Sequence, residues 1–274
     1  MFGNAPRSIW NHGLEAEAEL HWEIYRRFVH HDSTLDNTRD VRVHVWSFNP
    51  SFTYGITRDL AVRAAFPVSY AIRTSKDEVS RYRGLRDLKV GLKWRMYNEP
   101  FPGGSFQGGL FWQVTLPTAQ ARGEQGLLSK DISFGDETFG FQTGVTWGFS
   151  TARHYFWFDA AVDIHTLNDG RVQGPSIQFH PAYAARIFSL TDYRDFDLIL
   201  LMEGDLEFRD RMWQDRKRVV PSGFYKFHLS FGVQMNITNF IEMKFGYEYP
   251  VYQYYFARTF VHDGEGKISF NYLF

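Results

Sequence analysis

Apolar and polar side chains alternate with a period of two along most of this chain. In the clearest run, Leu14, Ala16, Ala18, Leu20, Trp22 and Ile24 alternate with Glu15, Glu17, Glu19, His21, Glu23 and Tyr25. Successive residues of a β-strand point to opposite faces, whereas a helix would scatter these glutamates around its circumference. Comparable runs cover about residues 14–25, 40–56, 60–72, 88–96, 106–116, 139–149, 156–164, 177–187, 196–208, 225–235, 241–251 and 268–274. The pattern therefore predicts an all-β protein with about twelve strands.

The second run breaks the alternation. Its apolar residues change parity, from Val41, Val43 and Val45 to Phe48, Phe52, Tyr54 and Ile56. A β-bulge near Trp46 and Ser47 would restore a single register, because a bulge adds one residue to one strand of a pair. Pro50 lies in the same run and lacks the N–H that a central strand donates. The same bulge would accommodate this proline within the run.

The connections between the runs alternate strictly between long and short. Long polar connections cover about residues 29–39, 74–86, 119–137, 166–175, 209–222 and 253–265, and short ones cover 57–59, 98–104, 150–153, 190–195 and 237–239. Long extracellular loops and short periplasmic turns are typical of outer-membrane barrels. The sequence thus predicts a membrane-spanning antiparallel up-and-down β-barrel over residues 13–274, preceded by an N-terminal periplasmic segment over residues 1–12.

The last run ends on an aromatic residue. Phe270, Tyr272 and Phe274 share one face of this strand with Ile268. This arrangement resembles the signal by which the outer-membrane assembly machinery recognises its substrates, so we expect these three aromatic residues to act as an assembly signal. The first residues lack a basic segment followed by an apolar one, so an exported protein would have this sequence after removal of its signal peptide.

Composition agrees with a barrel wall. The 274 residues include 18% aromatic residues and no cysteine, and the mean hydropathy is −0.36. No stretch approaches the roughly 18 apolar residues of a membrane helix. Half of the wall residues of a barrel face water, and aromatic girdles flank the lipid-facing half. A formal net charge of −1 argues against a nucleic-acid partner.

Assigning the polar positions to the interior predicts a charged lumen. The predicted acidic lining comprises Glu15, Glu17, Glu19, Glu23, Asp159, Asp163, Asp197, Glu203, Asp205, Glu207, Glu242 and Glu248, and the basic lining comprises Arg42, Arg63, Arg73, Lys89, Lys93, Arg95, Arg186, Lys226, Lys244 and Lys267. Twelve strands enclose a narrow lumen, so side chains decide its aperture.

Two interpretations of these charges remain open. Bases dominate strands two to four and acids dominate strands seven and nine, which lie roughly opposite in a twelve-strand ring, so the walls would create a transverse field. Alternatively the charges pair with neighbours to satisfy a wet interior, with the glutamates of strand one contacting Arg42 on one side and Lys267 on the other. Both arrangements are compatible, because paired residues can line a channel.

Neither a metal site nor an enzyme site is expected. His21, His44, His165, His180 and His228 fall on predicted lumen positions, but without the close spacing of metal ligands. His30 and His31 with Asp32 and Asp36 fit a solvated loop. Some outer-membrane barrels hydrolyse lipids with a serine and a histidine on neighbouring strands; here His228 and Ser230 would face the lumen from one strand. We therefore expect no cofactor, and lipid hydrolysis is the weakest alternative.

Several short segments resemble the outer-membrane barrel family named for the meta-pathway of phenol degradation. They are Pro50–Leu60, Ala65–Val68, Gly84–Trp94 and Thr115–Thr118, and the match extends over about a quarter of the chain. The resemblance implies a barrel that moves small aromatic or hydrophobic solutes.

The sequence therefore predicts a bacterial outer-membrane channel for passive passage of small solutes through a narrow charged lumen. The alternative is an occluded structural or partner-docking barrel whose loops at 119–137 and 209–222 bind a partner. The expected contacts are outer-membrane lipid, lipopolysaccharide, the assembly machinery and a small solute.

Overall fold

The computed structural model describes residues 12–38, 40–76, 78–119, 138–166, 171–189, 196–214, 217–218 and 222–274. Apart from His12, the predicted N-terminal segment lies outside these residues, as does nearly all of the predicted loop at 119–137. Among the described residues, no helix is long and apolar enough to cross a membrane.

Every regular element of the described chain is a β-strand. The strands are β1 (Leu14–His31), β2 (Ser33–Leu35), β3 (Arg42–Gly55), β4 (Leu60–Ala65), β5 (Val68–Thr74), β6 (Val79–Leu85), β7 (Leu88–Phe101), β8 (Gly104–Leu116), β9 (Gly140–Thr151), β10 (His154–His165), β11 (Arg171–Val172), β12 (Ser176–Ser189), β13 (Asp197–Arg209), β14 (Trp213–Gln214), β15 (Lys217–Arg218), β16 (Phe224–Asn236) and β17 (Ile241–Leu273).

Eleven of these strands form a closed antiparallel barrel. The ring runs β1-β17-β16-β13-β12-β10-β9-β8-β7-β4-β3, and pairing of β3 with β1 closes it. Strands β2, β5 and β6 extend the sheet outside the ring, and β11, β14 and β15 form a separate small sheet. Closure pairs the backbone of every ring strand on both sides, as a membrane interior requires. The predicted transmembrane barrel is confirmed.

The last ring strand, β17, folds back on itself and contributes both strands of a hairpin. Its 33 residues would span roughly 110 Å if straight. Residues 242–255 pair with β16, whereas residues 255–273 pair with β1. The Leu273 amide donates to the Phe240 carbonyl at 2.9 Å, so the two halves lie side by side. Because β17 crosses the wall twice, the eleven ring strands supply twelve strand segments to the barrel wall.

The predicted long connection at 253–265 is wrong, because pairing extends into it from both sides and leaves only residues 256–258 for the reversal of the chain. Tyr255 pairs with Phe224 and with His31, and Val261 pairs with Arg27. The predicted connection at 74–86 is likewise shorter, because β6 occupies most of it. The polar residues of these two segments suggested loops. The β-branched and aromatic residues between them favour strands, and that preference prevails in the structure.

The predicted bulge near Trp46 is also wrong. Strand β3 keeps one register with β1 throughout, from Leu14 opposite Tyr54 to Tyr25 opposite Val43. On its other side β3 pairs with β5 up to Phe48 and with β4 from Ser51 onward. The ladder on this side is therefore interrupted between Phe48 and Ser51. The missing N–H of Pro50 falls at this interruption.

Segments that carry the family resemblance meet at the same interruption. The Phe66 amide donates to the Pro50 carbonyl at 2.9 Å, and the Arg86 amide donates to the Pro67 carbonyl at 2.8 Å. The hydroxyl of Thr118 accepts from the Leu88 amide at 2.9 Å. Proline at both positions is tolerated because the ladder is already broken there.

The odd-numbered valines of β3 face an apolar cluster, which explains the change of parity. Val43 and Val45 are buried with Tyr25, Val41, Ala71, Tyr82 and Phe260, and Phe28 packs against them. These residues lie where β1, β3 and β17 continue past the interruption together with β5 and β6. We call this end of the barrel the long-loop end. The opposite end, where Leu14 and Phe274 lie side by side, is the short-turn end.

The outer face of the ring is apolar and aromatic. Leu20 and Trp22 of the first run are 44% and 40% exposed, and Phe48 and Phe52 are each 48% exposed. Phe270 is 41% exposed and pairs with Ala18, and the Phe274 amide donates to the Leu14 carbonyl at 2.8 Å. The terminal aromatic residues thus lie beside the closing strand, and their role in assembly stays a prediction.

Replacing Val43 by aspartate should destabilise the barrel strongly, because it places an unpaired carboxylate in the apolar cluster. We expect the free energy of unfolding to fall by about 3 kcal/mol or more. Arg42→Ser is the matched control, since the Arg42 side chain is 54% exposed, and it should change stability by less than about 1 kcal/mol. Urea titration of the barrel in vesicles, followed by heat-modifiable gel mobility, measures both. Equal stability of the two variants would contradict the inward placement of Val43.

Candidate functional site: the barrel lumen

A cavity of about 380 Å³ lies inside the ring toward the short-turn end. Residues from most ring strands line it, so it belongs to the lumen rather than to the outer surface. Its apolar lining is concentrated on β8, β10, β12 and β13 and includes Phe111, Tyr155, Trp157, Ala184, Ile199 and Leu201. Its charged lining lies mainly on β1, β4, β7 and β17 and includes Glu15, Glu17, Arg63, Lys93 and Lys244. In the ring order β10 and β12 lie opposite β1 and β3.

The apolar wall is a packed surface of its own. Ala184, Ile199 and Leu201 are buried together, and Tyr155 and Trp157 pack against them. These residues occupy lumen-facing positions on three neighbouring strands, in the half of each strand near the short turns. An apolar wall within a wet lumen gives the cavity an amphipathic character.

Gly144 leaves room for the ring of Phe111 in the lining of the cavity. The two residues are direct partners on β8 and β9. A Cβ at Gly144 would come within 2.5 Å of the Phe111 ring and within 2.4 Å of the Ala160 carbonyl oxygen. A larger residue would therefore displace the ring into the cavity.

Charges on the opposite wall are paired. Arg63 Nη2 contacts Glu17 Oε2 and donates to Ser51 Oγ at 3.0 Å. Lys244 Nζ lies 2.9 Å from Glu242 Oε1. These pairs hold the side chains against the wall and leave their charge in contact with the cavity.

A chain of polar side chains lies beyond the cavity toward the long-loop end; we call it the lumen network. It consists of Glu19, His21, Glu265, Lys267, Glu248 and His228. His21 contacts both Glu19, at 2.8 Å, and Glu265. Lys267 Nζ donates to Glu248 Oε2 at 2.6 Å, and Glu248 Oε1 lies 2.8 Å from His228 Nδ1. Lys267, Glu248 and His228 are each at most 6% exposed.

His262 joins one end of this network. Its ring centroid lies 4.7 Å from that of His228, with the planes perpendicular. One ligand atom from each of His228, Glu248 and His262 falls within 4.8 Å of the others. The sequence prediction overlooked Glu248 and His262 as partners of His228, because the three residues meet only through the register of β16 with the two halves of β17.

The predicted basic lining occupies several different environments. Arg42 does not face the lumen: it alternates with the buried Val43, and its side chain is 54% exposed and bonded to Asp40. Arg95 bonds Asp59 in the short turn at 2.7 Å. Arg73 lies on β5, outside the ring, and Lys89 is exposed. Arg63, Lys93, Arg186 and Lys244 line the cavity.

Lys226 lies at the long-loop end, where its Nζ is 3.9 Å from the centroid of the Phe224 ring. His44, predicted to face the lumen, instead stacks on Trp22 and Trp46, because β3 keeps its register without the bulge. The predicted contact of strand-one glutamates with Arg42 is wrong for the same reason.

Predicted acidic residues are distributed along the whole lumen. Asp163 lies 3.0 Å from His165, Asp205 lies 3.3 Å from His180, and Asp197 lies 3.3 Å from Arg186. Further predicted acids have the following positions: Glu207 bonds Arg209, Glu23 bonds Tyr25, Asp159 is 2% exposed, Glu203 is 6% exposed, and Glu15 lines the cavity. Pairing of neighbours therefore accounts for many of these charges. The transverse field stays a prediction.

Comparison with known proteins supports the fold and assigns no family. No protein-family model matches the chain, and no curated protein matches it. Among solved structures, the COG4313 outer membrane channel from Pseudomonas putida F1 is similar over 100% of both chains, with 9% identity and a TM-score of 0.77. The β domain of the Bordetella autotransporter BrkA matches with 11% identity and a TM-score of 0.55, over 96% of this chain and 100% of that one.

Likeness at such low identity concerns the fold alone. The closed ring, the apolar outer face and this likeness show that the chain has the fold of outer-membrane β-barrels. Long loops of such barrels face outward and short turns face the periplasm. The family named for phenol degradation stays a resemblance.

Replacing Lys267 by methionine should destabilise the barrel, because Glu248 would lose a buried partner and Glu265 a neighbouring cation. Removing one member of a buried ion pair costs about 3–5 kcal/mol. Lys244→Met is the matched control; that side chain is 15% exposed against 5% for Lys267, so its loss should cost less. Urea titration in vesicles gives the two free energies of unfolding. A smaller loss for Lys267→Met than for Lys244→Met would show that the network does not stabilise the barrel.

Proposed function

We propose that this protein is an outer-membrane channel for passive passage of small solutes of mixed polarity, including aromatic ones. The observation that carries the proposal is the cavity with an apolar wall opposite a charged wall. A solute with a ring and a carboxylate or hydroxyl could contact Trp157 and Tyr155 with its ring and Arg63 or Lys93 with its polar group. Partial burial of the ring favours entry, and the charged wall orients the solute.

Structural likeness to a protein described as an outer membrane channel supports this proposal. The resemblance of Pro50–Leu60 and Gly84–Trp94 to a family that moves aromatic or hydrophobic solutes also supports it. We propose no enzymatic activity. The exposed aromatic residues would contact outer-membrane lipid and lipopolysaccharide, and the C-terminal strand would contact the assembly machinery during insertion.

The lumen network favours a second candidate, an occluded barrel. Lys267, Glu248 and His228 are buried inside the ring, and apolar clusters around Val43 and Val261 occupy the long-loop end. In this alternative the barrel carries no solute and serves as a structural or partner-docking element.

Single-channel recording in planar bilayers distinguishes the two candidates. A channel gives stepwise conductance over a range of salt concentrations and voltages. Absence of resolvable conductance from correctly folded protein would overturn the channel proposal in favour of the occluded barrel.

Charge removal within the lumen should change ion selectivity. Arg63→Gln with Lys93→Gln should shift selectivity toward cations, and Asp163→Asn with Glu203→Gln should shift it toward anions, because each change alters the potential that an ion meets. Reversal potentials under a salt gradient measure the shift. Arg42→Gln removes a charge outside the lumen and should leave selectivity unchanged. If all variants match the wild type, these residues only pack the interior.

Trp157→Ala should weaken transient block of the ion current by a small aromatic acid such as benzoate. We expect about a tenfold loss of apparent affinity, since part of an aromatic contact surface is removed. Trp147→Ala is the matched control, because Trp147 is 44% exposed on the outer face. The concentration dependence of block gives both affinities. Equal block of the two variants would contradict solute binding at the apolar wall.

A further inference from the structure

We propose that His228, Glu248 and His262 form a binding site for a divalent transition-metal ion inside the barrel. The three side chains come from β16 and from the two halves of β17, and they face the lumen at the end of the lumen network. Two imidazoles and one carboxylate form a donor set that suits Zn²⁺ and similar first-row ions. This inference is independent of the proposed channel function.

The separations between the donor atoms suit a single ion. Ligands about 2.0–2.1 Å from a tetrahedral ion lie roughly 3.3 Å from one another. His228 Nδ1 and Glu248 Oε1 are 2.8 Å apart, and one nitrogen of His262 completes a group within 4.8 Å. Small rotations of the His262 and Glu248 side chains would bring all three donors around one ion.

His262 supplies an independent reason to expect a ligand. Its Nδ1 atom is buried and has no hydrogen-bond partner. Buried polar atoms are nearly always satisfied, and one that is not requires an explanation. Rotation of this ring toward His228 would satisfy one of its nitrogens by coordination.

Side chains around the three donors already hold them in place. Glu248 Oε2 accepts from Lys267 Nζ at 2.6 Å and from Ser230 Oγ at 3.4 Å, which leaves Oε1 directed at His228. The amide of Gln253 lies 3.3 Å from the Nε2 atom of His228. With Nδ1 bound to a metal this Nε2 carries the proton, and Oε1 of Gln253 would accept it after a flip of the amide. Such outer contacts fix ligand orientation in metal sites.

The charge of the lumen network favours a cation. Its members include three carboxylates, those of Glu19, Glu248 and Glu265, against the ammonium of Lys267. Each ring nitrogen of His21 contacts a carboxylate, so this imidazole carries both protons and one positive charge. With His228 neutral, the network keeps an excess of one negative charge, which favours a bound cation. The repulsion from Lys267 is offset because its ammonium is bonded to Glu248 and lies 3.6 Å from Glu265.

Zinc binding by untagged, refolded and chelator-stripped barrel tests the proposal. We expect one Zn²⁺ per chain by elemental analysis after dialysis, and Co²⁺ should give visible absorption bands of a low-symmetry site. His228→Ala and His262→Ala should each weaken binding at least tenfold, whereas His180→Ala, which removes a lumen histidine paired with Asp205, should not. Zn²⁺ should also raise the temperature at which wild type, but not His262→Ala, loses its compact gel mobility.

His262→Ala keeps the test decisive if the other variants fold poorly, because the Nδ1 atom of His262 has no partner to lose. Heat-modifiable gel mobility shows which variants are folded. Failure of the folded wild type to bind stoichiometric Zn²⁺ would overturn the proposal. Unchanged affinity in folded His262→Ala would overturn it as well.

Discussion

Closure of the hydrogen-bonded ring is the constraint on which the rest of this structure depends. A membrane interior offers no water to unpaired amides and carbonyls, so each ring strand needs partners on both sides. Once the sheet is closed, the alternation of side chains divides each strand between lipid and lumen. Leu20 and Trp22 therefore lie outside, and Glu19 and His21 lie inside.

Confinement then governs the interior. A charge held in the lumen away from bulk water is costly unless it is paired. Arg63 contacts Glu17, and Lys267 contacts Glu248, which lies on the other half of the same hairpin. The interior changes character along the axis, from an amphipathic cavity through a polar network to apolar clusters at the long-loop end.

The sequence predicted the barrel, most of its strands and many inward residues, because regular alternation directly reflects the two faces of a wall. It failed where alternation has two explanations. In the second run, the change of parity could arise from a β-bulge or from apolar side chains that face the lumen. Val43 does face an apolar cluster, and β3 has no bulge against β1. Arg42 and His44 were misplaced for the same reason. The grouping of His228, Glu248 and His262 depends on strand register, which local patterns do not contain.

The position of the lumen network bears on which solutes a channel of this shape could pass. Asn271 lines the cavity and donates to Glu242 at 2.9 Å, and Lys267 and Glu248 follow on the same two strand halves toward the long-loop end. A solute leaving the cavity in that direction would have to pass these hydrogen-bonded charges. A purely apolar solute would break their contacts without replacing them, whereas a solute with a polar group could substitute for part of them. In the proposed channel the apolar wall would select for a ring and the network for a polar group, so together they would favour solutes that carry both.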